Sequence, residues 1–305
     1  MESGEKLEVL KALYKECFDD SEQIRDYLFS TKLGIQNAIT CTLKGRLTGA
    51  LYLVDKPLVY LGRKIKYPYI VALGVSKTQR GHGIASALVK RAAAKVYKSG
   101  LPFIGLYPAV RGFYEKLQFA TVTEESALCT EGLDFRRTAD IPLLLSLYNE
   151  AVSNLDFCLE RTEQSFAARL EEIAADSGKA RLIYNQDKPV GYALGGGEEY
   201  VIEGNLNYDR RGTAVAGQMA RIANLEAAFA LTDISIPFAF KVNDGIIEQN
   251  NKIIEVENGK VSYCAYAAKE IGIDKLTSLF FGTEKEMSVF SPYFKKVKGQ
   301  LAEKY

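Results

Sequence analysis

The pattern of apolar and polar positions divides the first third of the chain into helices and strands. Apolar residues recur at helical spacing from Leu7 to Tyr14, and Asp20 with Gln23 forms a capping box that predicts a second helix through Leu28. Alternation then predicts strands of an antiparallel meander, at 38–43, 47–54, 58–61 and 67–75. After them the pattern predicts a helix over 84–96, a buried strand over 103–107 and a short helix over 111–117.

The same patterns continue beyond residue 135. Amphipathic helices are expected over 141–152 and 164–175, followed by a strand pair over 181–184 and 190–194. A polar, glycine-bearing stretch from Glu203 to Gly217 indicates a boundary. After it come a predicted helix over 219–229, strands over 236–242, 252–257 and 260–267, and a helix over 275–281, with a strong hairpin signal at Asn258-Gly259. The fold class is therefore α+β, a mixed α/β protein.

Composition narrows the classes of function. The chain has 305 residues, 47% of them apolar and 25% charged, which is typical of a soluble globular protein with about two domains. The net charge of +1 argues against general electrostatic binding to nucleic acid or to an anionic membrane. The sequence contains no apolar run of about 18 residues and no signal-peptide pattern. We therefore expect a cytoplasmic protein with no nucleic-acid partner and no membrane partner.

Few residues are suited to metal binding or to histidine-based nucleophilic catalysis. The five cysteines, Cys17, Cys41, Cys129, Cys158 and Cys264, are far apart and form no CxxC pair. His82 is the single histidine, so a Ser-His or Cys-His mechanism would have to use it as the base. We expect no metal site, no disulfide framework, a reducing compartment and packing roles for the cysteines.

The most specific chemical signal is a glycine-punctuated loop that follows the strand ending at Val75. Gly81 and Gly83 allow the backbone to approach phosphate oxygens, and a helix begins near Gly83. Backbone N–H groups and a helix N-terminus then point at one spot, which suits a pyrophosphate, and Arg80 adds a charged contact. The alternative is a tight turn with two glycines and no ligand. The spacing is neither GxGxxG nor GxxxxGKS/T, so dinucleotide and nucleoside-triphosphate sites lack their motifs.

This loop resembles the acetyl-CoA signature of the GNAT acetyltransferase superfamily. Arg80-x-x-Gly83-x-Ala85 follows the strand end, and Gly112 to Phe119 resembles the superfamily's FY-x-x-x-G-F element, with Gln118 where glycine is commoner. The resemblance covers about residues 1–128 and implies acetyl-CoA as cosubstrate. It implies that acetyl-CoA is bound by Leu73, Gly74, Val75, Arg80, Gly81, His82, Gly83, Ile84 and Ala85. His82 lies inside the loop, so its backbone rather than its side chain is expected to serve.

Three runs in the last third resemble the sterol-carrier-like domain of the enhanced intracellular survival family. They are Met219-Ala220-Arg221-Ile222, Phe240-Lys241-Val242-Asn243-Asp244 and 273–282. The resemblance implies a GNAT acetyltransferase domain over 1–130, a degenerate half-GNAT middle domain over 131–215 and a sterol-carrier-like domain over 216–305. It also implies a homo-oligomer, a hexamer, although the shortened middle segment leaves the oligomeric state open.

The family resemblance also implies two catalytic groups. Tyr114 matches the general acid toward the CoA thiolate, and a phenol is protonated at pH 7. The alternative is a packing role for its ring. The base is implied to be the terminal carboxylate, carried here by Tyr305, the alternative being a solvent-exposed terminus. The expected function is acetyl transfer by direct attack of a primary amine, of an aminoglycoside, a polyamine or a peptide.

Two other classes of function stay open. A non-catalytic acyl-CoA-binding sensor would keep the loop and lack turnover. A lipid-binding module would have an apolar tunnel within 219–290. The sequence does not identify the amine acceptor: Asp19, Asp20 and Glu22 favour a cationic one, but a solvated helix cap explains them equally well.

Overall fold

A computed structural model describes residues 3–125, 134–195, 201–204, 215–284 and 289–301. The first part of the chain contains helices and strands in alternation, which confirms the mixed α/β fold class. Its elements are α1 (Ser3–Cys17), α2 (Glu22–Thr31), β1 (Ala38–Leu43), β2 (Arg46–Tyr60), β3 (Arg63–Val75), α3 (Ile84–Lys98), β4 (Phe103–Leu106), α4 (Arg111–Glu115), β5 (Ala120–Thr121) and β6 (Glu124–Glu125).

The second part of the chain is richer in short strands. Its described elements begin with β7 (Asp134–Arg137), α5 (Ile141–Val152), β8 (Phe157–Leu159), α6 (Glu163–Ala175), β9 (Lys179–Asn185), β10 (Lys188–Gly195), β11 (Val201–Gly204) and β12 (Val215–Ala216). They continue with β13 (Met219–Ile222), α7 (Leu225–Phe229), β14 (Phe238–Asn243), β15 (Ile253–Glu257), β16 (Lys260–Tyr263), β17 (Glu270–Gly272), α8 (Ile273–Phe280) and β18 (Gly299–Gln300).

One eight-stranded sheet joins distant parts of the chain. Its strand order is β18-β8-β2-β3-β4-β13-β5, and β1 pairs with β2. The long β2–β3 hairpin is antiparallel, whereas β3 and β4 run parallel. Strands β8, β13 and β18 come from beyond residue 130, so the sheet crosses the sequence divisions at 130 and 215. The domain boundaries themselves stay a prediction.

Helices cover both faces of this sheet. On one face α3 packs Leu88 and Val89 into a core with Leu51 of β2. On the other face α1 packs Leu10 against Ala50 of β2. Neighbouring strand residues point to opposite faces, so Ala50 and Leu51 belong to different cores.

Besides the large sheet, the described residues form two four-stranded sheets and a two-stranded pair of β6 with β12. Strands β11-β10-β9-β7 pack with α5 and α6 around a core that includes Leu144, Phe166 and Tyr192. Strands β16-β15-β14-β17 share a core with β2, β3, β8 and α8, rich in phenylalanine. This shared core holds the C-terminal part of the chain against the half of the β2–β3 hairpin near its turn. No helix within the described ranges has the length and apolarity needed to cross a membrane.

The structure corrects three local predictions. Residues 219–222 form strand β13 between β4 and β5 instead of starting a helix, which covers only Leu225–Phe229. All four β13 residues are buried, and a short run of buried residues carries no periodicity that separates strand from helix. The predicted strands 47–54 and 58–61 are one continuous strand that passes through Pro57. Ser21, rather than Asp20, caps α2, because its hydroxyl accepts from the Ile24 N–H.

Candidate functional site

Strands β3 and β4 separate before β3 reaches the glycine-punctuated loop. They pair only at Tyr69 with Gly105 and at Ile70 with Leu106. Beyond Leu106 the chain leaves the sheet, whereas β3 continues to Val75 and stays paired with β2. Among the described strands none pairs with the free side of residues 71–75. The backbone of this segment is therefore open to an extended ligand that hydrogen-bonds as an added strand would.

A β-bulge lies inside this unpaired segment. Tyr52 pairs with Val71 and Ala50 pairs with Gly74, so Leu51 of β2 faces two residues of β3. One of the two, Ala72, has a φ of 49°, a left-handed conformation that is unfavourable for alanine. Bulges and strained backbone concentrate at binding and catalytic sites, which agrees with a ligand site here.

The C-terminal end of α1 fixes the end of β3. A Cβ on Gly74 would lie 3.0 Å from Cys17 Sγ, so glycine permits this close packing. The Cys17 thiol donates to the Val75 carbonyl over 3.5 Å, and burial raises the pKa of that thiol. The Lys77 N–H donates to the Glu16 carboxylate over 2.6 Å and so lowers the pKa of Glu16. An ionised carboxylate thus anchors the loop, and Cys17 is held as a thiol, unsuited to attack as a nucleophile.

The loop presents the N-terminus of α3 without a side-chain cap. Gly83, the N-cap residue, has a φ of 77°, and Gly81 has a φ of 81°. A Cβ at either glycine would have no heavy atom within 4 Å. No described side chain caps the N-terminus of α3, a helix of 15 residues. The N–H groups of its first turn are therefore left for a ligand. Together these features make an anion site with room for a phosphate.

The side chains of Arg80 and His82 occupy different positions relative to this loop. Arg80 Nε donates to the Val75 carbonyl over 3.2 Å, which folds this side chain back onto the strand end. His82 is exposed, and its Nδ1 lies 3.4 Å from the Gln79 carbonyl. The imidazole therefore packs onto its own loop. Ile84 meets β2 at Gly49, where a Cβ would come within 2.8 Å of Ile84 Cγ2.

Tyr114 lies on α4, the element that follows β4 across the gap. Its side chain is buried, with ring centroids 4.9 Å from Phe113 and 5.9 Å from Phe119. It belongs to the core of α3, and Leu73 and Val75 pack against that same core. Burial raises the pKa of Tyr114 to about 12, so the hydroxyl keeps its proton at neutral pH. The structure thus brings the predicted acid and the predicted strand end to one core.

Tyr305 lies outside the described residues, and the structure gives the position of the chain only up to Leu301. Leu301 is buried, and its carbonyl accepts from Gln218 Nε2. The other amide atom of that side chain, Oε1, accepts from the Tyr69 hydroxyl over 3.0 Å. The end of the described chain is thereby joined to β3, the strand that borders the gap.

Three features of the site have no clear signal in the sequence. Ala72 carries the bulge, yet alanine gives no indication of a left-handed residue. Glu16 anchors the loop from 61 residues away in sequence. Gln218 joins β3 to the chain end through contacts across 149 and 83 residues. Only contacts made by the folded chain identify them.

A separate cavity of about 360 Å³ lies at the turn end of the β2–β3 hairpin. It is lined by residues that are far apart in sequence, Tyr60, Asp156, Asp233 and Lys295 among them. It therefore differs from the apolar tunnel within 219–290 that the lipid-binding alternative predicts. In the parts of the chain that the structure describes, no three His, Cys, Asp or Glu side chains are grouped to hold a metal ion.

Comparison with known proteins agrees with this geometry. Residues 3–122 match the family described as acetyltransferase (GNAT) domain, and they therefore form a GNAT acetyltransferase domain. No curated protein sequence matches the chain.

Three solved structures share the fold of nearly the whole chain. Eis1 from Mycobacterium abscessus has a TM-score of 0.72 at 14% identity, covering 100% of this chain and 98% of its own. A probable N-acyltransferase from Enterococcus faecalis V583 has a TM-score of 0.71 at 15% identity, covering 97% and 92%. A GCN5-related N-acetyltransferase from Anabaena variabilis ATCC 29413 has a TM-score of 0.65 at 18% identity, covering 91% and 88%. At these identities the likeness establishes the fold.

Proposed function

We propose that this protein is an acetyl-CoA-dependent N-acetyltransferase that acetylates a primary amine by direct attack. One observation carries the proposal: β3 extends past its last pairing with β4, and its free end leads into the uncapped N-terminus of α3. This combination offers main-chain hydrogen bonds to an extended chain and an anion site at its end. The matched GNAT domain, residues 3–122, contains all of these elements.

The residues present fit acetyl-CoA. Gly81 and Gly83 leave open space beside the N-terminus of α3. A pyrophosphate would be held there by backbone N–H groups, those of Ile84 and Ala85 among them. The backbone of Leu73, Gly74 and Val75 would hold the pantetheine, with Arg80 and the backbone of His82 completing the loop. When bound, acetyl-CoA supplies an acetyl group activated as a thioester.

Tyr114 would act as the general acid. Its hydroxyl keeps its proton at neutral pH because burial raises its pKa, and it would donate this proton to the departing thiolate sulfur. The location of α4 directly after β4 supports this role, as does the packing of Leu73 and Val75 against the core that contains Tyr114.

The terminal carboxylate of Tyr305 would act as the general base toward the amine. Tyr305 is the fourth residue after Leu301, and four residues span at most about 14 Å when extended. Leu301 is joined to Tyr69 through Gln218, and Tyr69 lies four residues before Leu73 on β3. At full extension these four residues are about as long as the stretch of β3 from Tyr69 to Leu73, which supports a terminus within reach of this strand.

We also propose the division into domains at 1–130, 131–215 and 216–305, a homo-oligomer and a cytoplasmic location. The division follows the sequence runs that resemble the enhanced intracellular survival family, and strands of all three stretches share one sheet.

The test pairs binding with turnover. Calorimetry with acetyl-CoA measures binding, and thiol release is followed with a panel of aminoglycosides, polyamines and lysine peptides. We expect binding together with amine-dependent thiol release. Binding without release from any amine would favour the acyl-CoA sensor, and absence of binding would refute both functions.

A further inference from the structure

The turn after Tyr114 has an unusual backbone. Gln118 adopts a φ of 56°, the left-handed conformation in which glycine is favoured, and it stands where the GNAT element more commonly has glycine. The Tyr114 carbonyl accepts from the N–H groups of Leu117, at 2.9 Å, and Phe119, at 3.1 Å. The geometry of this turn therefore sets the end of α4.

Helix α4 needs contacts from outside itself. It has five residues, Arg111–Glu115, and an isolated helix of that length is unstable in water. Arg111 holds the start of α4 through Thr121, Ala216 and Gly217, and contacts at the turn 117–118 hold its end, close to Tyr114, the fourth residue of the helix.

The C-terminal part of the chain holds that turn at two points. Arg221 Nη1 of strand β13 donates to the Leu117 carbonyl over 3.0 Å. The Gly245 N–H donates to Gln118 Oε1 over 2.5 Å. The two donors lie 104 and 127 residues from their acceptors in sequence, so both are tertiary contacts.

One buried carboxylate organises both donors. Asp244 forms an ion pair with Arg221, and both side chains are completely buried. Its Oδ1 accepts from the N–H groups of Ile246 and Ile247 over 2.8 Å, and its Oδ2 accepts from Asn250 Nδ2 over 2.9 Å. The loop that carries Gly245 is thereby fixed relative to Arg221.

We propose that Arg221, Asp244 and Gln118 are positioning residues for Tyr114, through which the C-terminal part of the chain completes the site of the GNAT domain. This inference rests on the proposed function for its effect on turnover. The hydrogen bond from a guanidinium to one carbonyl is directional and so fixes the position of the turn. Apolar packing at the same place would not be directional. The side chain of Gln118 supplies a contact that glycine, the commoner residue, would lack.

The test uses Gln118→Gly, which removes the side-chain contact while leaving a residue suited to the turn. Gln186→Gly is the matched control, because Gln186 has a φ of 57° in the exposed turn between β9 and β10. Gln118→Glu keeps an oxygen acceptor and serves as the conservative variant. For each we would measure kcat, KM for acetyl-CoA, thermal unfolding and hydrogen exchange of the amides at 112–119.

For Gln118→Gly we expect kcat to fall about fivefold or more, an unchanged KM and faster exchange at 112–119, because the acid is less well placed. Gln186→Gly should match the wild type in kcat and in hydrogen exchange at 112–119. Gln118→Glu should recover most of kcat. The inference would be overturned if the amides at 112–119 of Gln118→Gly exchanged at the wild-type rate. It would also be overturned if they exchanged faster while kcat stayed unchanged. Absence of thiol release from the wild type would refute the proposed function instead, and the exchange comparison would still decide whether this contact holds the turn.

Discussion

Replacing Gly83 by valine tests the anion site most sharply. Gly83 is the N-cap of α3 with a φ of 77°, and a Cβ there projects into space with no heavy atom within 4 Å. The substitution therefore adds bulk where a phosphate would approach and forces a β-branched residue into a left-handed conformation. The first effect acts on binding and the second on stability.

The two effects can be given magnitudes. An L-residue in the left-handed conformation costs about 1–3 kcal/mol, well within the roughly 5–15 kcal/mol of a typical domain, so the fold should survive. Loss of one charge-assisted N–H contact to phosphate costs about 1.5–3 kcal/mol, which corresponds to an increase in Kd of roughly 10- to 100-fold.

Gly62→Val separates these effects. Gly62 has a φ of 75° and equally open space at its Cβ, but it lies in the turn of the β2–β3 hairpin, far along the strands from Val75. We expect both variants to lose similar stability in thermal unfolding and only Gly83→Val to lose affinity for CoA in calorimetry. Equal CoA affinity in Gly83→Val and the wild type would refute the anion site.

Two further predictions concern the proposed acid and base. Tyr114→Phe should lower kcat roughly 10- to 1000-fold with CoA affinity little changed. Because burial raises the pKa of Tyr114 to about 12, the wild-type kcat should not fall between pH 8 and 10 through loss of this proton. Equal losses of stability and activity would indicate a packing role instead. Extension beyond Tyr305, or its deletion, should lower kcat at least about 10-fold, whereas Tyr305→Phe keeps the carboxylate and should be nearly silent. Full turnover by the extended chain would place the base elsewhere.

The parts of the fold that could be predicted from the sequence are those fixed by local rules. The loop between β3 and α3 could be predicted because glycine readily adopts a positive φ, and Gly81 and Gly83 both have one. The hairpin at Asn258-Gly259 is confirmed, with φ values of 49° and 72° and Glu257 paired with Lys260.

Long-range pairing limited the rest of the prediction. Strand β13 inserts between β4 and β5 from about a hundred residues away, and the predicted helix over 219–229 was wrong there because no local pattern specifies such a partner. Strands 47–54 and 58–61 were predicted as separate, yet β2 runs through Pro57, whose carbonyl accepts from the Glu160 N–H over 2.8 Å. Asp20 was expected to cap α2, but it accepts from the Tyr14 hydroxyl instead.

The candidate site divides in the same way. Its glycines and Tyr114 stand in a recognisable motif, whereas the separation of β3 from β4 depends on how far two strands pair. In the sequence Arg221 and Asp244 stand only in runs that resemble a known family, and their buried ion pair is a property of the folded chain. Buried charges of this kind are rare in a core and cannot be paired from sequence alone.

Transfer of isotopically labelled acetyl from acetyl-CoA to a primary amine tests the central proposal most directly. The amine product is identified by mass spectrometry and compared with the CoA thiol released in the same reaction, for the wild type and for Gly83→Val. We predict acetylated amine and free CoA in equal amounts from the wild type, and strongly reduced amounts of both from Gly83→Val at limiting acetyl-CoA. No acetylated amine from any member of the panel, in the presence of tight acetyl-CoA binding, would contradict an acetyltransferase function.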